Sequence, residues 1–168
     1  FRGCAAGEPL CPLRQLGAAV CTFGGTSEGL AILCATLEGQ APGNAERSLA
    51  ELAAVAVRAP AARALVAAAT RVVAMSAAEH AFRRGQLASA RRYLAQAHAA
   101  RSAIGEDELA HNDAVLALAE TSPPQRLQRL LAELERLESR LREAAVSLGL
   151  AYDQAGRSRE AVSAWQRA

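Results

Sequence analysis

The chain has 168 residues, a length that suits one domain or a short array of repeats. About half of the residues (51%) are apolar but only 4% are aromatic, and the apolar set is mostly Ala, Leu and Val. This composition favours helices over sheets, and no segment alternates like a strand between two turns. No run of about 20 apolar residues is free of charge, Gly and Pro, so we predict no membrane-spanning helix.

Charge is nearly balanced but unevenly distributed. The chain has 19 basic and 17 acidic residues. All the basic residues are Arg, which fits a GC-rich bacterial genome; a functional preference for Arg is the alternative. Residues 61–105 hold seven Arg against one acid. We interpret them as a solvated or ion-paired face, with the later Glu133, Glu135 and Glu138 as candidate partners; an acidic protein partner is the alternative. We predict no nucleic-acid binding, because the overall charge is small.

The chain begins with a Gly- and Pro-rich lead-in, residues 1–12, FRGCAAGEPLCP, for which we expect little regular structure. Leu10–Thr36 then reads as two helices that meet at a bend containing Gly24. The next segment, QAPGN, is a turn, and Ala45–Arg58 is predicted to be helical. A further helix is predicted after Pro60, so that this pair forms a hairpin without a glycine turn.

The middle of the chain repeats the helix–glycine–helix pattern. In Arg71–Ala97, small residues recur on both sides of a predicted bend at Gly85. Gly105–Glu120 reads as another helix that begins with acidic residues, which suit a helix N-terminus.

The last third combines a leucine seam with a final hairpin. From Pro124 no Gly or Pro occurs until Gly149, and the apolar residues follow in steps of three and four: Leu127, Leu130, Leu134, Leu137 and Leu141. This heptad pattern predicts one long helix over 124–155, with a bend near Glu138–Arg140 as the alternative. It also predicts self-association or helix-on-helix docking through these leucines.

The final segment, RLREAAVSLGLAYDQAGRSREAVSAWQRA, has Leu148-Gly149 and Ala151-Tyr152 before a bend at Gly156 and Trp165 after it. This spacing resembles a tetratricopeptide repeat, a helix–turn–helix unit of about 34 residues. The bends predicted at Gly24, Gly85 and Gly156 are separated by about two such units each. The resemblance therefore implies an all-α solenoid of about five hairpins that forms a single array over residues 13–168.

The resemblance also implies a concave groove lined by the first helix of each hairpin. In the third hairpin its candidates are Val72, Met75, Glu79, Phe82 and Arg83. In the last hairpin they are Val146, Leu150 and Asp153. The Lys, Asn and Arg set of the family's chaperone-tail binders is missing, so we expect a helix or an extended segment of another protein. The alternative is that these residues pack against the chain's own hairpins.

Four cysteines lie near the start of the chain, Cys4, Cys11, Cys21 and Cys34. Their wide intervals do not suit a zinc site, which normally uses close pairs of ligands. We predict disulfides, with Cys4–Cys21 and Cys11–Cys34 as the preferred pairing, and hence a periplasmic, outer-membrane-associated or secreted protein. Four buried thiols in a cytoplasmic protein are the alternative.

No catalytic motif is evident. His80, His98 and His111 are scattered, and neither a phosphate loop nor an H-E-x-x-H helix occurs. We therefore predict a non-catalytic scaffold or adaptor, without a cofactor or metal, in a larger assembly. The missing initiator Met favours, as the alternative, a regulatory or sensor segment of a longer polypeptide such as a kinase or a transcription regulator.

Overall fold

The computed structural model describes residues 12–22, 27–120 and 124–168. Within these ranges the regular structure is entirely helical, as the composition predicted. The α-helices of this described part are α1 (Pro12–Thr22), α2 (Ser27–Gly39), α3 (Ala45–Arg58), α4 (Arg63–Arg83), α5 (Leu87–Ala99), α6 (Glu106–Ala119), α7 (Pro124–Glu138), α8 (Glu143–Gln154) and α9 (Ser158–Arg167). Apart from Pro12, which begins α1, the predicted lead-in lies outside the described residues.

The chain divides into two compact units, one ending at Glu106 and the other running from Asp107 to Ala168. Each unit has an apolar core of its own. In the first unit the core is built around α4, whose residues 71–78 are all buried. A helix that is buried on all sides is apolar on all sides, because every face meets other side chains instead of water.

Helix α4 forms most of one long apolar stretch of the kind that can cross a membrane. Among the described residues, one helical stretch, Pro60–Arg83, is long and apolar enough to cross a membrane by length and composition. Within the protein, 72% of its apolar window is buried. A core helix of a folded domain meets the same criterion, and burial in the first unit accounts for this one.

The prediction of five separate hairpins needs a correction at α4. The second helix of the second predicted hairpin and the first helix of the third are one continuous 21-residue helix, which packs against both α3 and α5. The physical reason is visible in residues 61–84, which contain many Ala and neither Gly nor Pro. Nothing there interrupts the backbone hydrogen bonds, so one helix serves two neighbours.

Helices α4 and α8 end in the same type of glycine turn. Gly85 separates α4 from α5 and Gly156 separates α8 from α9, each with φ +71°. In the first turn the N–H of Gln86 donates to the Ala81 carbonyl at 2.9 Å, and in the second the N–H of Arg157 donates to the Tyr152 carbonyl at 2.9 Å. This is the Schellman motif, which needs a left-handed residue that glycine adopts without strain. Gly24 lies outside the described residues.

The long helix predicted over 124–155 is wrong, and the alternative bend is right. Helix α7 ends at Glu138 and α8 begins at Glu143. At the break, the amide N–H of Arg140 and that of Leu141 both donate to the Leu137 carbonyl, at 2.9 and 2.8 Å. Folding back brings α8 onto α7.

Burial of the leucine seam explains why the chain folds back without a helix breaker. All five of its residues are at most 8% exposed: Leu127, Leu130, Leu134, Leu137 and Leu141. Each buried leucine contributes about 1.5–3 kcal/mol, whereas each helical hydrogen bond lost at the bend costs about 1 kcal/mol. The seam is therefore buried by helix-on-helix docking within the unit, and self-association through these leucines stays a prediction.

The burial of the seam can be measured with a matched pair of leucines. Leu134 is fully buried, and Leu150 in the same unit is 51% exposed. We expect Leu134→Ala to lower the free energy of unfolding by about 2–5 kcal/mol and Leu150→Ala to change it by about 0.5 kcal/mol or less. Denaturant titration followed by circular dichroism gives both values. Two equally small losses would contradict the packing of α7 described above.

Candidate interaction surface

Helix α8 has a buried face and an exposed face. Ala144, Leu148 and Ala151 on the core side are 0% exposed. On the opposite side the exposed residues follow in steps of three, four and three, and we call them the outer stripe: Glu143, Val146, Leu150 and Asp153. Because residues three and four apart share a helix face, the stripe is continuous. Val146 is 47% and Leu150 is 51% exposed, so the centre of the stripe is apolar and open to solvent.

An aromatic side chain from α9 borders the stripe. A Cβ built at Gly149 would overlap the indole of Trp165, so the missing side chain at Gly149 is what lets α9 approach. Gly149 is the helical neighbour of both Val146 and Asp153, three and four residues away. Trp165 is 42% exposed and therefore adds aromatic surface to the edge of the stripe.

On its other side, α8 is tied to α6 by a pair that the sequence analysis missed. The His111 Nε2 lies 2.9 Å from the Ser147 hydroxyl. Serine and imidazole are also the partners of nucleophilic catalysis, but Ser147 is only 7% exposed and lies inside a helix. The backbone N–H groups around it are used in helical hydrogen bonds and cannot form an oxyanion hole. The pair therefore positions α8, and no local motif could reveal two residues 36 positions apart.

Polar contacts hold α8 and α9 in place within the second unit. The Tyr152 hydroxyl donates to Glu135 on α7 at 2.6 Å, and Arg167 on α9 binds Glu138 through two hydrogen bonds of 2.6 and 3.1 Å. Arg157 stacks over the Tyr152 ring, 4.6 Å from its centroid. The hydrogen bond to Glu135, followed by burial, raises the pKa of Tyr152 above its ordinary value. These contacts join α8 and α9 to α7.

The groove residues predicted in the first unit need a correction. Val72 is 0% and Met75 is 2% exposed, so neither lines an open groove, and a Cβ at Gly105 would lie only 2.7 Å from the Met75 methyl group. These two side chains pack against other residues of the chain, which was the alternative to lining a groove. The other three differ in exposure: Glu79 and Phe82 are half-buried, and the exposed Arg83 is ion-paired with Glu79.

Within the arginine-rich segment, Arg83 and Arg92 form local ion pairs. Arg92 on α5 binds Glu46 on α3 at 2.9 Å, and the Tyr93 hydroxyl donates to the same carboxylate at 2.9 Å. Arg83 binds Glu79 on its own helix. The interpretation as a solvated or ion-paired face fits these two arginines, whereas Arg71 departs from it because it is buried and donates to the Ala97 carbonyl at 3.2 Å. Two of the later acids proposed as partners bind elsewhere: Glu135 accepts from Tyr152 and Glu138 binds Arg167.

Two of the four cysteines, Cys21 and Cys34, lie among the described residues. Cys21 and Cys34 are exposed, so the alternative of buried thiols is wrong for these two. Cys4 and Cys11 lie outside the described residues, and each preferred disulfide needs one of them. The disulfides, and the extracytoplasmic location that depends on them, stay predictions. In the described ranges no three His, Cys, Asp or Glu side chains are grouped to hold a metal ion.

The close approach at Gly149 can be tested against a second helical glycine. A Cβ at Gly17 on α1 would meet no atom within 4 Å, whereas one at Gly149 would collide with Trp165. We expect Gly17→Ala to raise the free energy of unfolding by about 0.5–1 kcal/mol, because alanine has the higher helix propensity. Gly149→Ala should instead destabilise by about 1 kcal/mol and shift the Trp165 emission to the red, because the ring is displaced into water. Equal stabilisation with unchanged emission would refute the contact.

The Tyr152–Glu135 bond makes a prediction about pH. The folded state raises the pKa of Tyr152 above its ordinary value of 10.0. The contribution of this hydrogen bond to the free energy of unfolding is therefore complete below pH 10.0, and it is lost as the pH rises through the pKa of the folded state. We expect Tyr152→Phe to lower the free energy of unfolding by about 1 kcal/mol at pH 8 and by much less at pH 11. Denaturant titrations of both proteins at the two pH values give the difference. A difference that does not change with pH would be inconsistent with the bond.

No family model matches the chain, and neither does a curated protein or a solved structure. The likeness to tetratricopeptide repeats therefore remains a resemblance, carried by residues such as Leu148, Gly149, Ala151 and Tyr152.

Proposed function

We propose that the chain is a non-catalytic helical scaffold of tetratricopeptide-like hairpins that binds another protein through the outer stripe of α8. The observation that carries this proposal is the exposure of Val146 and Leu150, 47% and 51%, at the centre of one helix face. Two large apolar side chains at helical spacing, next to a half-exposed tryptophan, form a contiguous patch instead of scattered single residues. Contiguous apolar patches commonly mark protein–protein contacts.

The support beneath the stripe suits a binding role. Helix α8 is held by Tyr152, which bonds to Glu135, and by Ser147, which bonds to His111. A surface that is already ordered before binding loses little conformational entropy in the complex, so more of the contact energy appears as affinity. Trp165 at the edge is the residue type that most often dominates binding energy at interfaces.

A site-specific crosslink tests this proposal. A benzophenone amino acid is placed at position 150 and, as a matched control, at position 57, because Val57 on α3 is also apolar and 79% exposed. After irradiation in the cells that produce the protein, we expect a protein adduct of discrete mass from position 150 and none from position 57. Mass spectrometry of the adduct identifies the bound polypeptide and the contact site.

A second variant controls for contacts made by proximity alone. Val146→Glu in the chain that carries benzophenone at position 150 introduces a charge into the apolar centre and should abolish the adduct. Circular dichroism of this variant should stay unchanged, because Val146 is half-exposed. Equal adducts from positions 150 and 57, or an adduct that survives Val146→Glu, would exclude the outer stripe as the binding surface.

A further inference from the structure

We infer that the outer stripe of α8 recognises an amphipathic helix with an apolar centre and a basic residue near each end. This inference rests on the proposed function and specifies its partner. It depends on two features of the stripe, its spacing and its charge, which point to the same occupant.

The spacing of the stripe suits a helix. Its residues follow in steps of three, four and three, the pattern by which one helix presents a straight seam to another. From Glu143 to Asp153 the seam extends over ten residues, or about 15 Å. A partner helix packed 8–10 Å away would place one or two apolar turns against Val146 and Leu150.

The charges of the stripe suit basic ends on that helix. Glu143 and Asp153 are exposed at its two ends, and within the described ranges neither carboxylate has an ion-pair or hydrogen-bond partner. Other acids of the same unit are occupied: Glu138 is bound by Arg167 and Glu160 by Arg157.

Charge complementarity therefore selects Lys or Arg on the partner, about ten residues apart, and opposes a partner with acidic ends. It also disfavours the anionic surface of a membrane, because the two carboxylates would face like charge. A basic amphipathic helix satisfies the apolar centre and both ends of the stripe together.

The chain carries its own reporter for a binding test. Trp165 is its only tryptophan, and it lies at the edge of the stripe. Two tryptophan-free helical peptides of 18 residues serve as probes. They share one leucine seam and differ only at two positions ten residues apart, where one has Lys and the other Glu. Titration of each peptide into the intact chain, followed by Trp165 emission, gives its Kd.

We expect the Lys peptide to bind about tenfold more tightly than the Glu peptide at low ionic strength, with a difference that shrinks as salt is added. The double variant Glu143→Arg with Asp153→Arg should reverse this preference. A matched double variant, Glu38→Arg with Glu51→Arg, changes the net charge equally on the first unit and should keep the preference for Lys. Both control positions are exposed.

The outcomes separate this inference from the proposed function. No binding of the Lys peptide, or a preference that survives Glu143→Arg with Asp153→Arg, overturns the charged-helix partner. If Leu150→Glu abolishes binding while the charge reversal has no effect, only the assignment of basic ends is lost. If binding of the Lys peptide is unchanged by Leu150→Glu, the outer stripe is not the binding surface and the proposed function is lost as well.

Discussion

Burial of the leucine seam of α7 is the constraint on which the second unit depends. The seam has no glycine or proline to break its helix, yet the chain bends between Glu138 and Glu143 so that α8 covers the leucines. One side of α8 packs on this seam, and its opposite side is exposed. The outer stripe is thus a consequence of how the seam is buried, and its apolar centre is the feature that the packing leaves uncovered.

An alanine-rich chain with few aromatic residues buries little area per residue, so its helices must approach closely. The second unit achieves this at Gly149, where the indole of Trp165 occupies the space of an absent side chain. The first unit uses a related contact, because a Cβ at Gly39 would lie 2.8 Å from Val73. In both cases a small residue permits a packing that a larger one would prevent, and polar contacts such as Arg167–Glu138 then fix the geometry.

The local features of this fold could be predicted from sequence, and the tertiary ones could not. The bends at Gly85 and Gly156 lie where the small-residue pattern placed them, because a left-handed helix end is specified by the glycine itself. The continuous helix over 124–155 was wrong because helix propensity says nothing of the apolar surface that a straight helix would leave exposed.

At the candidate site, too, only part of the arrangement could be predicted from the sequence. Val146 and Leu150 are exposed, whereas Met75, which corresponds to Val146, is buried and Glu79, which corresponds to Leu150, is half-buried. Periodicity identifies which residues share a face, but which face is covered depends on neighbours that are distant in sequence. The His111–Ser147 contact is a further example, since its partners lie 36 residues apart on α6 and α8 and meet only in the folded unit.

The fold-back of α8 onto α7 is therefore the claim to measure first. Spin labels at positions 126 and 154, both exposed, report it directly by pulsed electron paramagnetic resonance after the four native cysteines are replaced by serine. If α8 lies against α7, the two labels should be separated by less than about 25 Å, since packed helices are 8–10 Å apart. A distance of about 42 Å, the length of 28 residues in one unbroken helix, would contradict the account.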